Sequence, residues 1–141
     1  MRLDVTRVDL WVAGIEDKPG GVAKKLAALA EKGANLEFVI ARRVSEKPDT
    51  GVVFVTPVKG AAQIRAAKKA GFVKTERVRS VRIEGPDKPG LGAFLTQKLA
   101  EAGINLRGLS SIVLGRRFVL YLALDDPAEA TRAMRLLKRL F

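Results

Sequence analysis

The chain has 141 residues, of which 48% are hydrophobic, and its 26 basic and 15 acidic side chains give a formal net charge of +11. This composition is typical of a folded globular protein. With no cysteine and no histidine, disulfides, thiolate metal sites and the commonest general base are excluded. No nucleophile and base stand at a suggestive spacing. The sequence therefore predicts a protein that is not an enzyme and that uses no cofactor.

The first half of the sequence alternates strand and helix patterns. Strands are predicted at residues 8–15, 36–44, 52–58 and 72–78, from β-branched and apolar runs bounded by Gly and Pro. Helices are predicted at residues 22–30, where apolar residues recur at helical spacing, and at residues 60–70, which are rich in Ala and Lys. The order β-α-β-β-α-β is that of a ferredoxin-like unit.

The second half repeats this order but stops early. Strands are predicted at residues 81–85, 106–114 and 118–124, with a helix at residues 91–102 and another that begins near Pro127, capped by Asp125 or Asp126. We therefore predict an α+β fold of two ferredoxin-like βαββαβ units in tandem, at residues 1–78 and 79–141, the second lacking its last strand. Another unit or a partner subunit is expected to cover the open sheet edge.

An internal repeat joins the two halves. The turn Asp17-Lys18-Pro19-Gly20 returns as Asp87-Lys88-Pro89-Gly90, and eleven of the twenty residues from 17 to 36 recur 70 positions later. A repeat of this length indicates one structural unit present twice.

The repeated turn has the chemistry of a ligand site. It precedes a helix, whose first backbone N–H groups have no intrahelical partner and favour an anion. Asp17 and Asp87 offer acceptors for an ammonium group, and Asn35 and Asn105 follow the helices. Because one helix separates turn and Asn by about 20 Å, a site needs the turn of one unit and the Asn of another. The alternative is structural: both Asp residues cap helices, and both Asn residues fit turns.

The turn, followed by a helix that ends Leu-Ala-Glu-x-Gly-x-Asn-Leu, resembles the signature of ACT domains, small βαββαβ modules that bind regulatory ligands. The resemblance covers nearly the whole chain as two copies, and it implies a stand-alone regulator that pairs as a dimer and binds an amino acid at ACT–ACT interfaces. It also implies that the binding residues are Asp17, Gly20, Gly21, Asn35, Asp87, Gly90, Leu91 and Asn105. Lys25 departs from the family pattern, which commonly has an apolar residue there.

Two other functions remain open. The chain can be a regulatory subunit that docks on a metabolic enzyme through its basic surface. It can also be a basic nucleic-acid-binding protein, because residues 118–121 match the end of an RNA-binding consensus, although buried positions in a strand are favoured for Phe118 and Tyr121. The absence of a secretory pattern or a long apolar run favours a cytoplasmic protein without a membrane partner.

Overall fold

The computed structural model describes residues 2–75 and 79–140. Contacts divide the chain into two compact units, which we name the central unit (Asp9–Thr75) and the terminal unit (Met1–Val8 with Glu76–Phe141). In chain order the elements are β1 (Asp4–Val8), β2 (Trp11–Glu16), α1 (Gly21–Ala30), β3 (Phe38–Arg43), β4 (Thr50–Thr56), α2 (Gly60–Lys69), β5 (Val73–Lys74), β6 (Arg79–Pro86), α3 (Leu91–Glu101), β7 (Gly108–Leu114), β8 (Arg117–Leu124) and α4 (Pro127–Arg139).

The central unit is a four-stranded antiparallel sheet in the order β3-β4-β2-β5. Alternation along β4 buries Val53 and Val55 completely, as expected for a central strand. These residues pack in one core with Leu29 of α1 and Ala67 of α2. Both helices therefore lie against the sheet through their apolar faces.

The terminal unit has the same arrangement, in the order β1-β6-β8-β7. Its core contains Val81 and Ile83 of β6, Leu122 of β8, Leu99 of α3 and Leu137 of α4, each 1% exposed or less. The first turn of α4 is held by the predicted cap: the Asp126 side chain accepts a hydrogen bond from the Glu129 amide at 2.8 Å, and Pro127 begins the helix.

A strand from the beginning of the chain covers the edge expected to be open. β1 pairs antiparallel with β6, from Asp4 opposite Glu84 to Val8 opposite Ser80. It occupies the place in the terminal sheet that β5 has in the central sheet. The predicted division at residues 78 and 79 therefore differs from the contacts, which group residues 1–8 with the second half of the chain. The physical reason is that β6 needs a hydrogen-bonding neighbour and no strand follows α4 among the described residues.

The predicted fold class is confirmed, with two ferredoxin-like α+β units that interleave strands and helices. All four predicted helices are present with bounds close to those expected. The predicted strand at residues 8–15 begins instead at Trp11, because Val8 belongs to β1. The strand expected at residues 72–78 is reduced to Val73–Lys74, and its last three positions lie outside the described residues.

The assignment of β1 predicts a selective effect of Val5→Ala. Val5 is 6% exposed in the terminal core, and deleting two buried methyl groups costs about 1.5–3 kcal/mol. We expect hydrogen exchange to show lower free energies of opening for the amides of β6 and β8, with those of β2 and β4 unchanged. Thr6→Ala, one residue along on the exposed side, is the control. An equal loss in both units would contradict the assignment.

Candidate functional site

The turn between β2 and α1 is shaped by backbone hydrogen bonds. The Asp17 amide donates to the Asp49 carbonyl at 3.0 Å, and the Gly21 amide donates to the Lys18 carbonyl at 3.0 Å. Gly20 has a left-handed φ of 89° and precedes the helix without a side-chain cap. Within the described part of the chain, the amides of Val22 and Ala23 have no hydrogen-bond partner. The turn therefore presents free N–H groups at a helix start, where the dipole favours an anion.

This turn borders a cleft of about 740 Å³ in the central unit. The volume lies in the range of small-molecule sites. Its lining residues come from the end of β2, the turn, the start of α1 and the loop between β3 and β4; they are Gly14, Ile15, Glu16, Lys18, Pro19, Gly20, Gly21, Lys24, Lys25, Val44, Lys47, Thr50, Gly51 and Val52. Four lysines and one carboxylate make the cleft suited to a ligand with an anionic group.

Residue 21 must be glycine because the backbone of Glu16 lies very close to it. A Cβ at this position would lie 2.1 Å from the carbonyl oxygen of Glu16, a clash with backbone that no side-chain movement relieves. The repeat has Leu91 at the corresponding position, and its side chain is 8% exposed in the terminal core. The two turns therefore share Asp-Lys-Pro-Gly but differ in the residue that begins the helix.

Asp17 does not face the same cleft as Gly20 and Gly21. Its carboxylate accepts a 2.7 Å hydrogen bond from Arg43 Nε at the end of β3, whereas the two glycines line the cleft. Neither α1 nor α3 has a side-chain cap. The capping role considered for Asp17 and Asp87 is therefore wrong. The carboxylate in the cleft is Glu16.

Asn35 and Asn105 are exposed and precede the edge strands β3 and β7. The Asn105 side-chain oxygen accepts a hydrogen bond from the Leu106 amide at 2.9 Å, which holds the side chain beside its own backbone. Asn35 does not line the cleft of its own unit. Asn35 is therefore not brought to the cleft at the turn of its own unit.

The turn of the terminal unit carries an ion-paired network where the central unit has small residues. Glu84 corresponds to Gly14 in the repeat. Arg117 lies opposite the last residue of β6, as Thr50 lies opposite the last residue of β2. Glu84 accepts from Arg82 at 2.8 Å and from Arg117 at 3.2 Å. Large charged side chains thus occupy the positions that are open in the central unit. Leu91 and Gly90 begin α3 in the same way that Gly21 and Gly20 begin α1.

Lys25 is a polar residue at a core position. Its counterpart in the repeat is Leu95, which is 1% exposed. The Lys25 ammonium donates to the Ala70 carbonyl at the end of α2 and lines the cleft. The break in the apolar pattern at residue 25 was the sequence signal for this role.

Two carboxyl groups near the turns are shifted toward the charged form. Hydrogen bonding and charge from Lys18 lower the pKa of Glu16. Hydrogen bonds from Arg82 and then Arg117 lower the pKa of Glu84. Both groups are therefore ionised at neutral pH and attract cations such as an ammonium group.

The aromatic residues of the RNA-binding alternative are buried. Phe118 is 4% exposed and Tyr121 is 8% exposed, and the Tyr121 hydroxyl accepts a hydrogen bond from Arg82 at 3.2 Å. The predicted buried strand positions are confirmed, and stacked bases cannot reach these rings. The described residues contain no group of three or more metal-ligating side chains. Within the same ranges, no helix has the length and apolar character needed to cross a bilayer.

Comparisons with known proteins support the resemblance for the second copy of the repeat, and for the fold of the whole chain. The family model of the ACT domain matches residues 80–140. The crystal structure of a protein from Bacteroides thetaiotaomicron is 17% identical with a TM-score of 0.78, over 95% of this chain and 90% of that chain. The ligand-free regulatory subunit of aspartate kinase from Thermus thermophilus is 21% identical with a TM-score of 0.64, over 99% and 95%.

The regulatory subunit of aspartate kinase from Thermus flavus is also 21% identical, with a TM-score of 0.62 over 98% of this chain and 94% of that chain. At such identities these structures show a shared fold. A search of curated proteins gave no match.

The Glu84 network predicts a pH dependence of stability. Because its pKa is lower in the folded state than the usual value of about 4.3, the unfolded state binds more protons between the two pKa values. Stability contributed by Glu84 is therefore present above about pH 4.3 and is lost as the pH falls through the folded pKa. We expect urea unfolding to show a shallower loss on acidification for Glu84→Gln than for the wild type.

Glu37→Gln, at an exposed glutamate of the central unit, is the matched control. If the Glu84→Gln variant loses as much unfolding free energy on acidification as the wild type, the network contributes nothing to folding.

Proposed function

We propose that this chain, which has an ACT domain at residues 80–140 and a second unit of the same fold, is a non-catalytic regulatory protein that binds a small metabolite, with an amino acid as the favoured ligand. The observation that carries the proposal is the cleft of the central unit, where a helix start with free amides faces a carboxylate and several lysines. These groups match the two charges of an amino acid.

The ligand carboxylate is proposed to bind at the beginning of α1. The amides of Val22 and Ala23 are free donors there among the residues the structure describes, and the helix dipole adds to the attraction of an anion. Lys24 and Lys25 line the same cleft and favour the same charge. Gly20 and Gly21 allow the ligand to approach the backbone, because neither has a side chain in the way.

The ligand ammonium group is proposed to bind Glu16. This carboxylate lines the cleft and forms an exposed 2.6 Å ion pair with Lys18. Exposed ion pairs are worth about 0–1 kcal/mol, so the ligand can compete with Lys18 for the carboxylate. Asp17 is proposed to act beside it by holding Arg43 and the end of β3 against the turn.

A second chain is proposed to complete the site through the edge strands. β3 exposes Val39 and Ile40, and β7 exposes Ile112 and Leu114, with Ile112 63% exposed and Leu114 78% exposed. Both strands lie at an edge of their sheets. Long apolar edges invite pairing with another strand, and we propose that they pair between two chains in a homodimer.

Antiparallel pairing of such edge strands would bring the Asn of one copy close to the turn of the other. Arg43 at the end of β3 holds Asp17, so the turn lies at that end of the strand. Asn35 precedes the opposite end of the same strand, about 20 Å away for six residues. In an antiparallel pair the start of one strand lies beside the end of its partner. The Asn of one chain would therefore face the turn of the other.

The central unit is proposed as the stronger site. Gly14 and Thr50 leave room in its cleft, whereas Glu84 and Arg117 bond to each other at the matching positions of the terminal unit. A regulatory subunit that docks on a metabolic enzyme is the second candidate. It is favoured by the fold shared with aspartate kinase regulatory subunits, and the two candidates are compatible in one protein.

A thermal-shift screen of the twenty amino acids tests the proposal. A ligand at about 100 times its Kd adds about 2.7 kcal/mol of stability, so we expect one or more amino acids to raise the Tm. For that ligand, Glu16→Ala should raise the Kd about 10- to 100-fold, since a hydrogen bond to a charged group contributes about 1.5–3 kcal/mol. Isothermal titration calorimetry measures the change.

Glu46→Ala is the control, because Glu46 is an exposed glutamate of the same unit that does not line the cleft. The paired change Asp17→Ala with Asp87→Ala tests the other turn carboxylates, and a weaker affinity is expected. If all of these variants keep the wild-type Kd, the turn is not the site.

The proposed completion of the site predicts that Ile112→Lys weakens ligand binding without unfolding the terminal unit. A charge on this exposed apolar edge opposes strand pairing. Gln97→Lys, at an exposed position of α3, makes the same change in net charge away from the edge. Light scattering and calorimetry would report mass and affinity. Unchanged mass and unchanged affinity in Ile112→Lys would exclude β7 from the site.

A further inference from the structure

The two helices of the central unit form a second cleft, which shares Lys24 and Lys25 with the cleft at the turn. It has a volume of about 630 Å³ and is lined only by residues of α1, α2 and the positions just beyond their ends. We name it the helix groove and define it by its lining residues: Lys24, Lys25, Ala28, Glu31, Lys32, Ala62, Arg65, Ala66, Lys69 and Ala70.

The helix groove is held open by hydrogen bonds at both ends. The Lys25 ammonium, near the start of α1, donates to the Ala70 carbonyl at the end of α2. The Gln63 side-chain amide, near the start of α2, donates to the Lys32 carbonyl beyond α1 at 3.2 Å. The helices therefore run in opposite directions and are tied at each end. A partner would meet a groove that is already formed.

Alanines form the apolar part of the groove. Ala28 of α1 and Ala62 and Ala66 of α2 line it, with Ala70 at its end. Small side chains allow the backbone of another helix to approach closely, as in other helix-in-groove contacts. A bare phosphate group would gain nothing from these methyl groups, whereas an apolar stripe on a protein segment would bury them.

Four of the cations that line the groove form no ion pair among the described residues, although the charge of Lys24 acts on Glu16 at the turn. Lys24, Lys32, Arg65 and Lys69 form no ion pair with any residue in the ranges 2–75 and 79–140. Glu31 is the one carboxylate among the lining residues. Positive charge in the groove is therefore available to an acidic partner.

We propose that the helix groove docks an acidic amphipathic helix of a protein partner. Its small apolar residues would contact the alanines, and its flanking carboxylates would meet the lysines and the arginine. The inference rests on the proposed regulatory function, because a sensor needs a protein that responds to it. The partner protein would then contact the α1–α2 face, and its response to the sensor would depend on that contact.

Fluorescence anisotropy with a labelled synthetic helix tests the proposal on the full chain. The probe has alanine and leucine at helical spacing with glutamates on both sides of that stripe, and a second peptide has the same composition in scrambled order. We expect the helix to bind and the scrambled peptide to bind at least about fivefold more weakly, the equivalent of about 1 kcal/mol.

Two pairs of neighbouring residues supply matched variants. Lys69→Glu reverses a charge in the groove, whereas Lys68→Glu makes the same change one residue outside it. Ala62→Leu fills the groove, and Ala61→Leu adds the same side chain at an exposed position beside it. Lys69→Glu and Ala62→Leu should each weaken the probe about fivefold or more, and their controls less than twofold.

Equal weakening by Lys68→Glu and Lys69→Glu would overturn the proposal, since it would show attraction by net charge alone. Displacement of the probe by inorganic triphosphate at low concentration, with no effect of Ala62→Leu, would also overturn it and assign the groove to phosphate ligands. The amino-acid response measured by thermal shift should be retained in Lys69→Glu and Ala62→Leu. Failure of docking and failure of metabolite binding are therefore seen separately.

Discussion

Pairing of β1 with β6 completes the sheet of the terminal unit. β6 lies inside the terminal sheet only because the residues Asp4–Val8 come from the other end of the chain to form its neighbour. The terminal unit thereby buries Val5 and becomes a four-stranded counterpart of the central unit. With that position filled, β7 remains as the long apolar edge of the terminal sheet, as β3 is in the central sheet. The proposed pairing of two chains depends on these remaining edges.

The sequence predicted the elements that have strong local signals. The apolar spacing, the glycines after the helices and the Asp126–Pro127 start specified the helices, and the β-branched runs specified the central strands. It missed β1, although Leu3 and Val5 alternate with polar residues, because Val8 was assigned to the strand expected at residues 8–15. It also could not show that Asp17 bonds to Arg43, since that contact joins residues that the fold brings together from different elements. The groups in the cleft depend on such long-range contacts, which one sequence does not display.

The two copies of the repeat have diverged at positions that matter for a ligand. Small or absent side chains at Gly14, Gly21 and Thr50 surround the central cleft. The terminal unit has Glu84, Leu91 and Arg117 there, and these residues serve an ion-paired network and a hydrophobic core. A duplicated fold can keep its turn in both copies for backbone reasons alone, because Gly20 and Gly90 both adopt left-handed φ angles before their helices. The shared turn therefore indicates a common fold, whereas the residues that differ indicate which unit has room for a ligand.

Some basic side chains of this positively charged protein form ion pairs within the described residues, and others do not. In the terminal unit, Arg82 and Arg117 share Glu84, and Arg132 bonds to Glu129 at 2.7 Å. In the central unit, the groove residues Lys32 and Lys69 have no such acceptor in the described chain. These two cations lie beside an alanine-lined groove between two tied helices. Docking of the proposed acidic helix would give part of this positive charge a partner, and Lys24 and Lys25 would then face both that helix and a metabolite at the turn, because they line both clefts.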